Sequence, residues 1–212
     1  MPSTKAIITS SAAHQRGVGM IEVLVTLFIL SVGLLGVASL QFIGSFSNAD
    51  ALSRTQAVLV AQQMSERLRA SAVSSDQGDG VVVNNDYFNT DLYNFSNLSC
   101  SSSAQPYNCF CQEIPADVPN CAADICTAAE FAAFDAYEMS CAAVNTNPLI
   151  ELELTCIDNN ILDTDECSVG SRHRIILAWP VEQWQGNSRS LNPECLAGRS
   201  GEHDCVIIEV TL

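Results

Sequence analysis

Positive charge is what this chain has least of. Lysine and arginine together number nine against 24 acidic residues, the formal net charge is −15, and the single lysine is Lys5. Such a deficit excludes a protein that grips nucleic acid or anionic lipid through basic patches. Proline is missing from residues 18 to 73, and between Val23 and Ala49 there is no charge of either sign. No cysteine precedes Cys100. The patterns of a serine-hydrolase elbow (Gly-x-Ser-x-Gly), a zinc protease (HExxH) and a phosphate loop are absent. The sequence therefore carries no sign of catalysis, and no cofactor is expected.

What is present begins with the charge-free run itself. About 20 apolar residues cross a bilayer as one helix, so Val23–Ala49 predicts a single membrane helix. Lys5 and Arg16 precede it and the acidic bulk follows it, which puts the amino end in the cytoplasm and the rest outside. At the mouth of the run stands a lone carboxylate, Glu22. Signal peptides have apolar cores of about 7–15 residues and seldom place an acid beside them, so Glu22 needs its own explanation. An ordinary exported protein stays open as an alternative, with Gly36-Val37-Ala38 as the cleavage site and a mature start at Ser39.

The stretch Arg16-Gly17-Val18-Gly19-Met20-Ile21-Glu22 and the apolar residues after it resemble the type IV prepilin leader. That resemblance implies a short basic leader, residues 1–17, cut by a prepilin peptidase between Gly17 and Val18, with methylation of the new amine on Val18. Ile21-Glu22-Val23-Leu24-Val25 and Gln62-Gln63-Met64-Ser65-Glu66-Arg67-Leu68-Arg69-Ala70 look like minor pilins of the PilV type. Phe134-Asp135-Ala136-Tyr137-Glu138-Met139 is similar to a further segment of that family. The resemblance implies a pilin fold, other pilin subunits as partners through the amino-terminal helix, and no enzymatic activity. It also implies an inner-membrane, single-pass protein with a periplasmic domain that later enters the pilus.

Glu22 can be reasoned about without that likeness. An unpaired carboxylate among apolar helices costs several kcal/mol, about 2–7 even for a neutral polar group, unless a cation meets it. Cleavage after Gly17 would create one, the amine of Val18. Glu22 lies one turn away and can meet that amine or a neighbouring subunit's, which would set axial register. The alternative is that Glu22 only favours the positive end of its helix dipole.

Beyond Asp50 the helix turns amphipathic, with Ala57, Ala61, Met64 and Leu68 at i, i+4, i+7 and i+11. The expected division is residues 18–46 in the membrane or filament core, 47–73 as the amphipathic continuation, and 74–212 as one acidic, disulfide-rich domain outside the cytoplasm. Gly33, Gly36 and Gly44 each weaken the apolar half by about 1 kcal/mol relative to alanine. From Ala70 onward there are 21 acids and four bases, Arg172, Arg174, Arg189 and Arg199. The roughly 140 residues suffice for one core.

Ten cysteines in an exported domain read as disulfides. Roughly 945 pairings are conceivable by extension of the counting rule, and two are preferred because they bracket short loops: Cys195 with Cys205, and Cys156 with Cys167. Metal binding is disfavoured, since Cys109-Phe110-Cys111 and Cys121…Cys126 lack a tight CxxC and His173 and His203 lie far from both. Asp158, Asp163, Asp165 and Glu166 offer oxygens for calcium but miss the EF-hand spacing, so an acidic turn is favoured. Trp179 and Trp184 are read as core rather than as a partner-binding edge. Asn94-Phe95-Ser96 and Asn97-Leu98-Ser99 match the glycosylation pattern by letters only.

Local patterns predict an α+β fold, a long amino-terminal helix packed on a small antiparallel sheet with disulfide-stapled loops. Thr127-Ala128-Ala129-Glu130 predicts a capping box opening a helix to about Ala143, with Phe131, Phe134, Met139 and Cys141 inward. Strands are expected at Ile150–Cys156, His173–Trp179 and Val206–Leu212. The functional expectation is a minor pilin that contributes to pilus assembly or priming and to adhesion or motility. A type II secretion pseudopilin, and an exported binding protein or enzyme, are the alternatives.

Overall fold

The computed structural model describes residues 17, 19–75, 78–100, 105–160, 162, 167–181 and 191–212. The chain divides into two units, Met1–Asn48 and Ala49–Leu212, and helix α1 (Met20–Ala70) contributes residues to each. In the first unit every described residue of α1 is exposed. Three of its polar side chains are satisfied along the helix itself: the hydroxyls of Thr26, Ser31 and Ser45 donate to the carbonyls of Val23, Phe28 and Phe42 at 2.9, 2.8 and 2.9 Å. That arrangement suits an apolar surrounding, where an unmet hydroxyl would be costly.

The second unit is built on the remainder of α1. Ala57, Val60, Ala61, Met64 and Leu68 are buried there, so the amphipathic stripe faces the core. The helix ends at Ala70, three residues short of the expected 73, because Val73–Ser74 (β1) instead pairs antiparallel with Val81–Val82 (β2). Gly78, at φ +70°, makes the turn between them in a conformation that favours glycine.

The Asn-rich stretch after β2 is more ordered than its lack of period suggested. Asn84 and Asn89 each accept a hydrogen bond from the amide two residues on and start two short 3-10 turns, Asn85–Phe88 and Thr90–Leu92. These turns plant Tyr87 and Tyr93 in the core, where both are almost wholly buried. A one-turn helix, α2 (Pro106–Phe110), follows.

Helix α3 (Ala128–Thr146) opens on the capping box: Thr127 and Glu130 satisfy each other's amides reciprocally. Its core stripe is Ala132, Ala136, Met139 and Ala143, at i, i+4, i+7 and i+11. Phe134 and Tyr137 are also buried, but Phe131, expected inward, is 42% exposed. The stripe's phase puts Phe131 one position outside it. Cys141, also expected inward, is half-buried and linked to Cys111.

The sheet runs β3 (Glu151–Ile157), β4 (Arg172–Pro180), β5 (His203–Thr211), antiparallel throughout in the order β3-β4-β5. Strand β5 starts earlier than its hydrophobic run implied, since Cys205 and Asp204 pair with Ala178 and Trp179. One face carries Leu152, Leu154, Ile175, Leu177, Trp179 and Val206 into the main core. The opposite face is covered at one end by the turn Pro193–Leu196. There Cys195, bonded to Cys205, packs on Ile176 and Ala178, while Arg199 forks to Glu151 at 3.0 Å and Glu153 at 2.7 Å. The protein is thus α+β: a long apolar amino-terminal helix, small antiparallel sheets and several disulfides.

Candidate functional site

The sites that the sequence singled out begin where α1 begins. Gly17 and Gly19 are exposed, and the carbonyl of Gly19 accepts the amides of Glu22 at 2.9 Å and Val23 at 3.3 Å, starting the helix. Glu22 falls in the first turn with its side chain exposed, the end at which a helix dipole favours a negative charge. Val18, Lys5 and Arg16 lie outside the described residues. After Glu22 come Phe28, Leu35 and Leu40, which are 69, 70 and 72% exposed. Among the described residues α1 is the one helix long and apolar enough to cross a membrane.

In the second unit, α1 is tied down by two arginines. Arg54 donates to Asp204, the largely buried acid of β5, at 2.6 Å. Arg67 pairs with both Asp135 and Glu138 of α3. The other carboxylate oxygen of the buried Asp135 accepts the Tyr87 hydroxyl at 2.6 Å, and the Tyr93 hydroxyl donates to the Tyr87 carbonyl at 2.7 Å. Burial lowers the Arg67 pKa, but the hydrogen bonds that Arg67 donates to Asp135 and Glu138 outweigh it and hold the guanidinium above its ordinary value. Burial, then the contact with Asp135, pushes the Tyr87 phenol up. For Tyr93 burial leads and the neighbouring Tyr87 adds to it. With its phenols held neutral and its arginine held charged, the cluster is a hydrogen-bonded, satisfied network rather than a reactive one. In the sequence the Arg67-Leu68-Arg69 ending and the Asp135 segment stand as separate stretches, 68 residues apart from Arg67 to Asp135. The opposite charges flanking two core stripes were the available signal.

The remaining candidates are structural. Cys156 is bonded to Cys167 and Cys195 to Cys205, and the others join as Cys100–Cys109, Cys111–Cys141 and Cys121–Cys126. Asp158 is a hub of the β3–β4 connection: one of its oxygens accepts the Ser168 hydroxyl at 2.6 Å, the Ser168 amide at 3.0 Å and the Ser171 hydroxyl at 3.0 Å. The two Ser168 bonds lead in drawing its pKa down to about 2. Asp163, Asp165 and Glu166 lie outside the described residues, as do Arg189 and Trp184. Among the described residues no group of three His, Cys, Asp or Glu side chains is placed to hold a metal. His173 is buried beside Phe88 and burial lowers its pKa; His203 is buried, and Trp179 is core. Asn94 uses its side chain on the backbone of Leu152, accepting from the amide at 2.8 Å and donating to the carbonyl at 2.9 Å.

Compared with known families, residues 12–38 match the prokaryotic N-terminal methylation motif. This supports a protein of the type IV pilin or pseudopilin class. No curated protein and no solved structure matches the chain. The matched segment takes in Gly17, Glu22 and the start of the apolar helix, so it and the exposed helix point to a membrane-anchored, pilus-associated protein. Proteins with this leader work with other pilins and with a prepilin peptidase, and the motif suggests a structural role rather than a catalytic one.

Proposed function

We propose that the chain is a minor type IV pilin of the PilV type. Its prepilin peptidase would remove residues 1–17 and methylate Val18. Residues 18–46 would then sit in the inner membrane and afterwards in the filament core, residues 47–70 would continue the helix, and the residues after it would form the periplasmic and then extracellular domain. Within the filament the Val18 amine and the Glu22 carboxylate, on the same or adjoining subunits, would fix axial register. The subunit would help start or modify assembly and contribute to adhesion or motility.

The observation that carries this reading is the methylation motif over residues 12–38 running directly into a helix whose apolar residues, 23 to 48, find no burial in their own chain. The pairing of Arg67 with Asp135 and Glu138 supports the finer assignment, because two of the three stretches that resemble the PilV type meet there. Mass spectrometry of the native protein tests it: a mature, methylated start at Val18 is expected, and a start at Ser39 would favour an exported soluble protein. Deleting the gene should reduce surface filaments. Lost enzyme secretion with filaments intact would instead indicate a pseudopilin. Glu22→Ala is expected to be processed normally yet enter filaments poorly, and normal entry would remove the charge-pairing account.

A further inference from the structure

Residues 91–98, 117–119 and α3 enclose a cavity of about 110 Å3 in the second unit. Phe95, Leu98, Val118 and the ring of Tyr137 give it an apolar lining, and Asp91 and Asp117, both exposed, line it as well. The apolar part is rigid. Phe95 stacks on Phe110 with ring centroids 4.7 Å apart, the Tyr137 hydroxyl is committed to the carbonyls of Phe110 and Glu113, and Cys111–Cys141 staples the cluster to α3. Asn94 and Phe95 both hold left-handed backbone, φ 53° and 62°, and the side chain of Asn94 locks that turn onto β3.

We propose that this cavity receives a lysine side chain presented by a different, basic protein. A lysine lays its four-carbon stem along apolar surface and keeps its compact ammonium at the polar end. Here the stem would lie over Phe95, Leu98 and Val118, and the ammonium would face Asp91 and Asp117. The volume is well below the roughly 300–1,000 Å3 of small-molecule pockets, which favours one side chain over a free ligand. Charge complementarity points away from a second copy. Among the described residues every arginine, Arg54, Arg67, Arg69, Arg172, Arg174 and Arg199, is already ion-paired with an acid of its own chain, and none pairs with Asp91 or Asp117. The single lysine, Lys5, lies in the leader. Exclusion of a second copy as lysine donor rests on removal of that leader, whereas binding to the cavity does not.

The test is a titration of the full chain in detergent micelles with acetyl-Gly-Lys-Gly-amide, followed by amide NMR shifts. Saturable shifts are expected at Asp91, Leu98 and Val118. The norleucine peptide, which keeps the stem and loses the charge, should bind about tenfold more weakly, as should the lysine peptide to the Asp91→Asn/Asp117→Asn variant. Ala133→Leu, which fills the cavity from α3, should abolish binding while shifts elsewhere stay native. Equal binding of the two peptides, unchanged binding to the double variant, or no saturable shift overturns the proposal. Movement of the same amides on raising the protein concentration alone overturns the assignment to a different protein.

Discussion

From Met20 to Asn48 every described position of α1 is exposed, though the stretch is almost wholly apolar, whereas between Ala57 and Leu68 the same helix seals five apolar residues inside its own domain. The difference lies in how apolar residues are spread around the helix. In the lower stretch most of them keep to one stripe, with Leu59, Gln63, Glu66 and Arg69 on the solvent side, and one folded domain can cover a stripe. In the upper stretch they occupy all sides, and only a surrounding medium or a ring of other helices can cover those. The two halves therefore depend on different surroundings, the lower on its own fold and the upper on membrane or neighbours.

Substitutions can break that comparison. The largest effect on domain stability is expected from Leu68→Ala, which empties a fully buried site and should cost about 3–4 kcal/mol, read by thermal unfolding in detergent. Leu27→Ala, at a position 56% exposed, should shift that transition by less than about 0.5 kcal/mol, and a comparable loss at both sites would show that the halves are not independent. Asp135→Asn should cost about 2–3 kcal/mol, because Arg67 and the buried Tyr87 hydroxyl lose a charged acceptor. Removing Cys195–Cys205 by paired alanine substitution should cost about 2.5 kcal/mol, the closure entropy of a loop of its size, and leave the upper stretch unaffected.

The smallest effect is one of pH. The folded pKa of Asp158 is depressed from 3.8 to about 2, so its contribution is complete above the unfolded value and is lost as pH falls through the folded one. Asp158→Asn should flatten stability between about pH 4 and pH 2, and an unchanged acid limb would show that the hub does not stabilise the fold.

Most regular elements were legible because their signals are local. The capping box at Thr127 and Glu130, the alternation of Leu152 and Leu154, and the Ala57-to-Leu68 stripe each specify an element without help from distant sequence. The rest depends on long-range meetings. Arg67 and Asp135 are 68 residues apart, and nothing near either says which acid an arginine will find. Cys111–Cys141, 30 residues apart, has the same character, and Phe131 lies outside the core stripe because the phase of small alanines, not its own hydrophobicity, sets the buried face. The burial of Tyr87 and Tyr93 is not legible in the sequence for a different reason. They sit on short turns set by Asn84 and Asn89, a period too brief to register.

Asn94 has a consequence for crowding. Strand β3 is an outer strand of its sheet, and such a strand offers free amides and carbonyls to any extended chain that drifts past. At Leu152 both groups are already taken by one carboxamide. The chain is thereby denied, at that point, the indiscriminate zippering that leads to aggregates, and its contacts are left to surfaces that can be chosen.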